Sequence, residues 1–288
     1  YGIDSEDFKK YFGEDMDERG LMIGQINLAN HMKRLLVMRF ESSKYAFQNT
    51  LKKIIKTNQI IEKWWNEFDG VPVMKKGVLP DPDDYTEEDG ETSVDFDTDI
   101  EKLKKSKGLI IIPKDMFQYK DEFERDLCSD TKLLTEIYDE WFGTDKYKDI
   151  DPKLGAIDLE IKKLLKDDPH RKIVIFSSYA DTVNYLFDKL NDNPRIIKYT
   201  SADPNNLRKT IKANFDAAVL LEKQENDFDV VLTTDALSEG VNLHRAGVVI
   251  NYDIPYNPTR VIQRVGRINR INKKVFDKVG FSFNAGGN

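Results

Sequence analysis

The spacing of apolar residues predicts that the first half of the chain is mainly helical. Between residues 46 and 65, apolar side chains recur every three or four positions with lysines between them, as in an amphipathic helix packed against a core. Trp64 and Trp65 are therefore expected to pack inside the protein rather than to stack on bases. Shorter patterns predict a helix over 28–40, a strand over 108–113 and a helix over 133–141.

After residue 150 the pattern changes to β-branched apolar runs that alternate with helical stretches. The runs lie at 172–177, 195–200, 229–234 and 247–253, and the helices at 181–190 and 206–215. Near-continuous apolar strands separated by helices are typical of a parallel sheet covered on both faces. We therefore predict a helical N-terminal region over 1–150 and an α/β domain over 151–288. Ligands of such sheets bind at the carboxyl ends of the strands. The polar residues that end the runs are therefore candidates for a site: Ser177, Ser178, Thr200, Ser201, Thr233, Thr234, Asp235 and Asp253.

The distribution of charge separates the two predicted regions. Lys and Arg number 44 against 51 Asp and Glu, which gives a formal net charge of −7. Residues 1–150 hold 23 basic and 33 acidic side chains, whereas residues 151–288 hold 21 and 18. An anionic partner is therefore expected on the second region. Ten of the 19 residues in 81–99 are acidic and none is basic, which predicts a mobile loop or insertion.

The cysteine and histidine content argues against two kinds of site. The single cysteine, Cys128, cannot form an internal disulfide and favours a reducing, cytoplasmic compartment. The three histidines lie far apart, without the spacing of zinc ligands. No apolar run is long enough to cross a bilayer. The chain begins at Tyr1 without a leader pattern, and we expect it to be part of a longer polypeptide.

The segment 257–270 combines a helix start with four arginines. Asn257 suits an N-cap and Pro258 suits the first helical position. At about 100° per residue, the arginines and Gln263 share one stripe, apart from the apolar residues of the segment. The arginines are Arg260, Arg264, Arg267 and Arg270. Such a stripe is either a solvated basic face or a site for phosphate, which Arg can bind with two hydrogen bonds. Spacing alone leaves both interpretations open.

Several segments of the second half resemble motifs of superfamily 2 helicases. Val230-Val-Leu-Thr-Thr-Asp-Ala-Leu-Ser-Glu-Gly-Val-Asn-Leu243 resembles motif V, and Gln263-Arg-Val-Gly-Arg-Ile-Asn-Arg270 resembles motif VI. Lys172 to Tyr179 resembles motif IV. Their order and spacing are similar to those of the C-terminal RecA-like domain, over about residues 150–275. The residues of these motifs are similar to those of Swi/Snf-type translocases, particularly of their RapA-like bacterial branch. Residues 35–50 resemble, more weakly, the linker before that domain.

The resemblance implies roles for individual residues. Arg267 and Arg270 match the fingers that reach the γ-phosphate of ATP, a contribution of roughly 10³–10⁵ to turnover, and Gln263 opens the same motif. A second set matches the part of motif V near the ribose: Glu239, Gly240 and Asn242. A third set matches positions whose hydroxyls and adjacent amides hold the nucleic-acid backbone: Ser177, Ser178, Thr200, Ser201, Thr233 and Thr234. Asp235 fits either this motif or a helix N-cap.

The sequence lacks the groups that would hold the phosphates of ATP. It contains no Gly-x-x-x-x-Gly-Lys-Ser/Thr loop, and no Gly-Lys pair at all. It also lacks a convincing Asp-Glu pair, after an apolar strand, for a magnesium ion. We therefore predict that ATP and Mg²⁺ are held by an upstream RecA-like domain of the same polypeptide. This chain alone is then expected not to hydrolyse ATP.

Two classes of function follow from these patterns. The first is the C-terminal half of an ATP-dependent helicase or translocase, which is a nucleotide-binding hydrolase that acts on nucleic acid. Its expected partner is double-stranded DNA, and no association with a membrane is expected. The alternative is a non-catalytic module, in which a degenerate RecA-like lobe binds nucleic acid or an acidic protein. The intact spacing of Gln263, Arg267 and Arg270 favours the enzyme, because a simple binder needs no particular arginine spacing.

Overall fold

The chain divides into two compact units. The computed structural model describes residues 32–74, 109–147, 150–190, 195–237, 241–255 and 257–268. The first unit consists of Tyr1–Leu36 and Gln48–Asp149, and the second of Val37–Phe47 and Ile150–Asn288. Residues 37–47, which the apolar pattern assigned to the N-terminal region, therefore group with the second unit. The predicted acidic loop 81–99 lies outside the described residues.

Helices and a small antiparallel sheet make up the described part of the chain before residue 148. Residues 32–42 are helical (α1). They are followed by α2 (Lys44–Glu67), β1 (Gly70–Met74), β2 (Leu109–Pro113) and α3 (Lys120–Phe142). The predicted helix over 46–65 and the strand over 108–113 are thus confirmed, while the helix predicted at 133–141 begins earlier. Strand β1, which was not predicted, pairs antiparallel with β2.

The first unit has its own aromatic core. Trp65, Ile112 and Phe117 are buried together, and the Trp65 ring lies edge-on to Phe117 with 5.3 Å between centroids. Trp64 is equally buried and packs on Phe68. Both tryptophans are therefore core residues, as the helical pattern indicated, and neither is available for stacking on a base.

The second unit is built on a four-stranded parallel sheet. Its elements are α4 (Pro152–Asp167), β3 (Ile173–Phe176), α5 (Ala180–Leu190), β4 (Ile196–Tyr199), α6 (Asn205–Phe215), β5 (Val230–Thr233), β6 (Val248–Asn251) and α7 (Pro258–Ile268). The strand order is β4-β5-β3-β6, and all pairs are parallel. The predicted α/β fold of the RecA-like type is therefore confirmed.

Successive side chains of a strand point to opposite faces of the sheet, and this alternation creates one core on each face. Ile173 and Ile175 pack with α4 and α5, whereas Val174 and Phe176 pack with α6 on the opposite face. Since both faces are covered, strands β3 and β5 are fully buried and read as unbroken apolar runs. In the described part of the chain, no helix combines the length and hydropathy needed to span a membrane.

Two helix starts show how local sequence sets the boundaries of the elements. The side chain of Asp151 accepts a hydrogen bond from the Leu154 amide at 2.8 Å, and Pro152 occupies the first helical position of α4. At α7, the Asn257 side chain accepts from the Thr259 amide at 2.9 Å. The predicted N-cap at Asn257 is confirmed, whereas α4 was not predicted.

Candidate functional site

The carboxyl ends of the four strands meet at one edge of the sheet. Phe176 of β3 is in register with Thr233 of β5 on one side and with Asn251 of β6 on the other. Tyr199 of β4 is in register with the same Thr233. The residues that follow each strand are therefore neighbours, and most of the polar residues singled out in the sequence lie at this edge.

The loop after β3 is held by a buried carboxylate from the loop after β6. Asp253 is 8% exposed. Its Oδ2 accepts a hydrogen bond from the Ser177 hydroxyl at 2.6 Å, and its Oδ1 accepts from the Ser178 amide at 2.7 Å. The Ser177 hydroxyl is thus used inside the protein, whereas Ser178 stays partly exposed. A ligand contact by Ser178 stays a prediction.

The loop after β4 is organised by an aspartate. The amide and the hydroxyl of Thr200 both donate to Asp203 Oδ2, at 2.7 and 2.8 Å. Thr200 is buried, while Ser201 is exposed at the tip of the turn. The loop geometry therefore presents Ser201 to solvent and uses Thr200 as internal support.

The two threonines that end β5 differ in the same way. Thr233 is completely buried, and its hydroxyl donates to the carbonyl of Tyr199 at 2.8 Å. Thr234 is partly exposed, and its hydroxyl oxygen accepts from the Ala236 amide at 3.3 Å. The hydroxyl of Thr233 is consequently closed to a nucleic-acid phosphate in this arrangement, because it lies inside the sheet. The roles of the six predicted backbone-contacting residues stay predictions.

Arg264 is a buried anchor for α7 and not part of an exposed arginine stripe. It is 0% exposed, and its Nε and Nη2 donate to the two oxygens of Asp235 at 2.7 and 3.1 Å. Its Nη1 donates to Asn251 Oδ1 at 2.8 Å, and its guanidinium lies 5.1 Å from the centroid of the Phe176 ring. The stripe prediction is wrong for this residue, since angular spacing does not show which sector of a helix faces the sheet.

Asp235 is the acidic partner that links β5 to α7. Besides Arg264, it accepts from Arg260 Nη1 at a longer 3.4 Å, and the Arg260 side chain remains 56% exposed. Asp235 starts a single 3-10 turn, Asp235–Leu237. The sequence leaves Asp235 as either a motif residue or a helix N-cap. In the structure its carboxylate is the ion-pair partner of Arg264 and Arg260, and this contact gives it a clear structural task.

Arg267 lies one turn beyond the buried anchor and differs from it in environment. Its side chain is half-buried, and its guanidinium has no hydrogen bond or ion pair with any other described residue. Its backbone carbonyl accepts from the Leu243 amide at 3.2 Å, which places Asn242 next to the end of α7. Gln263 is exposed on the same helix. Three further predicted residues lie outside the described part of the chain: Glu239, Gly240 and Arg270.

A surface cavity of about 380 Å³ opens beside Ser178 and Asp253. Lys153 lines it, donates to the carbonyls of Glu41 and Ser42 at 2.6 and 3.0 Å, and lies 4.1 Å from the centroid of the Tyr252 ring. Burial lowers the pKa of Lys153, and nearby carboxylates act in the opposite direction. Among the described residues, no group of His, Cys, Asp and Glu is arranged to hold a metal ion.

The sequence indicates Asp253 as a strand-end residue but not its partners, and it misassigns Arg264. The serines that donate to Asp253 lie far from it in the sequence, so no local pattern links them to the carboxylate. Arg264 is directly preceded by Gln263 and has the same residue type as its neighbours on the helix. Only the positions of Asp235 and Asn251 at the sheet edge distinguish it.

Comparison with known proteins finds a family match within the second unit. Residues 157–272 match the family described as the helicase conserved C-terminal domain. Eukaryotic initiation factor 4A of Zea mays is 29% identical over 101 residues, which is 35% of this chain and 23% of that relative. Initiation factor 4A-1 of Arabidopsis thaliana is 28% identical over the same shares. The match thus spans about a quarter of the length of these relatives.

Solved structures give looser likenesses. The C-terminal part of the Fun30 ATPase domain is 19% identical, with a TM-score of 0.34, over 77% of this chain and 57% of that chain. Mss116p DEAD-box helicase domain 2, solved with an RNA duplex, is 18% identical, with a TM-score of 0.34, over 41% of this chain and 45% of that chain. Scores this low do not support residue-by-residue comparison. The family match supports a superfamily 2 C-terminal lobe, and the Swi/Snf-type branch stays a prediction.

Proposed function

We propose that this chain is the C-terminal part of a cytoplasmic, ATP-dependent superfamily 2 helicase or double-strand translocase of the Swi/Snf type. Its second unit contributes arginines to the hydrolysis of ATP and backbone contacts to nucleic acid. An upstream RecA-like lobe of the same polypeptide supplies the phosphate loop and holds Mg²⁺. This chain alone does not hydrolyse ATP.

The observation that carries the proposal is the environment of Arg267 on a helix that matches the helicase family. Family residues 157–272 include all of α7. Arg264 ties this helix to the ends of β5 and β6, so the helix offers Arg267 from a fixed position. An arginine that has no internal ion-pair partner among the described residues, yet is carried by an anchored helix, is suited to neutralise charge on a ligand from outside.

Arg267 would act by stabilising charge that grows on the phosphate oxygens during transfer. A planar guanidinium donates two parallel hydrogen bonds, and a rigid support avoids the cost of reorganising the donor as the charge develops. An arginine of this kind contributes roughly 10³–10⁵ in turnover, or about 4–7 kcal/mol of barrier. Asn242 lies on the neighbouring segment and would contact the ribose side of the same nucleotide.

Of the six predicted backbone-contacting residues, we assign direct contact with nucleic acid to the three that are accessible at the strand ends. Ser178, Ser201 and Thr234 are partly or fully exposed at the carboxyl edge. Ser177, Thr200 and Thr233 support them from within. Hydroxyl and amide donors to phosphate fix the position of a protein on nucleic acid without reading its sequence. This property suits an enzyme that moves along a backbone.

The test is nucleic-acid-stimulated ATPase activity of the full-length protein, with Arg267→Ala compared with Arg171→Ala. Arg171 pairs with Asp168 just before β3, at the opposite edge of the sheet, and serves as the matched control. We expect Arg267→Ala to lower kcat at least about 1000-fold with ATP binding retained, and Arg171→Ala to stay within about twofold. Activity of Arg267→Ala within twofold of wild type would refute the arginine role.

The choice of stimulating nucleic acid tests the substrate. Double-stranded DNA is expected to stimulate hydrolysis more than single-stranded DNA, single-stranded RNA or an RNA duplex at the same salt concentration. Stronger stimulation by either RNA would move the proposal from a DNA translocase to an RNA helicase. A full-length protein that binds nucleic acid but shows no stimulated hydrolysis would instead support a non-catalytic binding module.

A further inference from the structure

A serine from the helical segment 37–47 completes the support of the Ser177-Ser178 loop. The Ser42 hydroxyl donates to Asp253 Oδ2 at 2.8 Å, beside the donor from Ser177. Ser42 is completely buried and lies 211 positions before Asp253 in the sequence. The carboxylate therefore receives three donors, two from the loop that it holds and one from a remote segment.

The direction of the surrounding hydrogen bonds follows from the number of available hydrogens. Ser42 has one hydroxyl hydrogen, which it gives to Asp253, so in its 2.8 Å contact with Thr182 it must accept. Thr182 is then the donor to Ser42 and accepts from the Ser43 hydroxyl at 2.9 Å. These bonds form a chain from Ser43 through Thr182 and Ser42 to the Asp253 carboxylate. A directed chain of this kind strengthens its terminal bond.

We propose that Ser42 is a positioning residue for nucleic-acid binding, which acts through Asp253 to hold the Ser177-Ser178 loop in its receptive conformation. The inference rests on the proposed function, because it assumes that Ser178 meets a backbone phosphate. Ser42 itself is buried and touches no ligand.

The geometry shows why the carboxylate needs its remote donor. Asp253 lines the same cavity as Ser178, so it is close to the place where an anionic phosphate would lie. With three donors, the Asp253 carboxylate stays oriented toward Ser42, Ser177 and Ser178. With the Ser42 donor removed, the Oδ2 atom loses one of its two partners, and the carboxylate can rotate or take up water. The Ser178 amide then loses its fixed acceptor.

The test compares Ser42→Ala with Ser43→Ala in the full-length protein. Ser43 is also buried and also bonds Thr182, and its hydroxyl oxygen accepts from the Ala46 amide at 3.0 Å, but it does not touch Asp253. The two variants should therefore lower the melting temperature by similar amounts. Binding is measured by fluorescence anisotropy of a labelled DNA duplex, as the Kd over a series of salt concentrations.

We expect Ser42→Ala to raise the Kd roughly 3- to 10-fold, the range for the loss of one hydrogen bond. The slope of log Kd against log salt should stay unchanged, because the lost contact is made by an uncharged serine and not by a cation that displaces a counterion. Ser43→Ala should raise the Kd much less, because its hydroxyl reaches the carboxylate only through Thr182 and Ser42. The double variant Ser42→Ala/Ser178→Ala should bind no more weakly than Ser178→Ala, because both changes remove the same contact.

Four results would overturn the inference. Equal effects of Ser42→Ala and Ser43→Ala on the Kd would show that Ser42 acts only through stability. Additive effects of Ser42→Ala and Ser178→Ala would show that Ser42 does not act through the loop. A wild-type protein without salt-dependent binding would reject the proposed function together with this inference, whereas wild-type binding that Ser42→Ala leaves unchanged would reject the inference alone.

Discussion

Arg264 and Arg267 lie three positions apart on one helix, and their substitution by alanine should have opposite consequences. Arg264→Ala is expected to destabilise the chain strongly, because it removes three charge-assisted hydrogen bonds inside the protein. Arg267→Ala is expected to leave stability nearly unchanged, since its guanidinium has no hydrogen-bond or ion-pair partner among the described residues. The two variants therefore separate structural from ligand-directed arginines.

The magnitude follows from the burial of the two partners. Breaking a buried ion pair by removing one partner costs about 3–5 kcal/mol, mainly because the other charge stays behind without compensation. Arg264 is 0% exposed, but the Asp235 side chain is 31% exposed and can be hydrated in part after the substitution. We therefore expect a loss near the lower end, about 3 kcal/mol. For Arg267→Ala we expect a change within about 0.5 kcal/mol.

The assay is urea unfolding followed by circular dichroism, with the free energy of unfolding obtained by linear extrapolation. A double-mutant cycle of Arg264→Ala with Asp235→Ala should give a coupling energy of about 1–3 kcal/mol. A loss below about 1 kcal/mol for Arg264→Ala, or an equal loss for Arg267→Ala, would refute the assignment of Arg264 as the anchor of α7.

Three further predictions address other parts of the chain. Gly266→Ala should stabilise α7 by about 1 kcal/mol in urea unfolding, because a Cβ there meets nothing within 4 Å. A lower free energy of unfolding for this variant would contradict the open space around Gly266. Burial lowers the pKa of Lys172 to about 8, with the neighbouring arginines adding to the shift. Between that value and the ordinary lysine pKa of about 10.4, the unfolded chain holds a proton on Lys172 that the folded chain has released. The free energy of unfolding should therefore rise with pH over this range. Lys172→Met should remove this rise in urea unfolding measured from pH 7 to pH 10. Trp65→Ala should destabilise the first unit by about 3–5 kcal/mol, seen as faster proteolysis between residues 48 and 149, with the second unit unaffected.

The parallel sheet was predictable because its information is local. Each strand is a run of β-branched residues bounded by polar ones, and the intervening helices carry their apolar residues on one side. Strand β1 was missed because it is short and contains Pro72, a residue that tolerates only an edge position, as in this two-stranded sheet. Asp151 and Pro152 at the start of α4 are a helix-start signal of the same kind as Asn257 and Pro258.

The site was predictable only as a set of strand ends. The sequence indicated which loops would meet, because parallel strands bring their carboxyl ends to one edge. It did not indicate which hydroxyls would be used internally, since Ser177 and Ser178 are chemically identical and only their positions relative to Asp253 distinguish them. The contact of Ser42 with Asp253 joins residues 211 positions apart and has no local pattern.

The discontinuous composition of the second unit has a consequence for biosynthesis. Residues 37–47 leave the ribosome before the whole stretch 48–149, whereas their partners in the second unit, such as Thr182 and Asp253, are translated afterwards. The first unit can therefore fold on the nascent chain before the partners of residues 37–47 have been synthesised. Closing so long a loop costs little more free energy than closing a short one, but contacts between distant positions slow folding. We therefore expect the second unit to complete its fold later than the first unit.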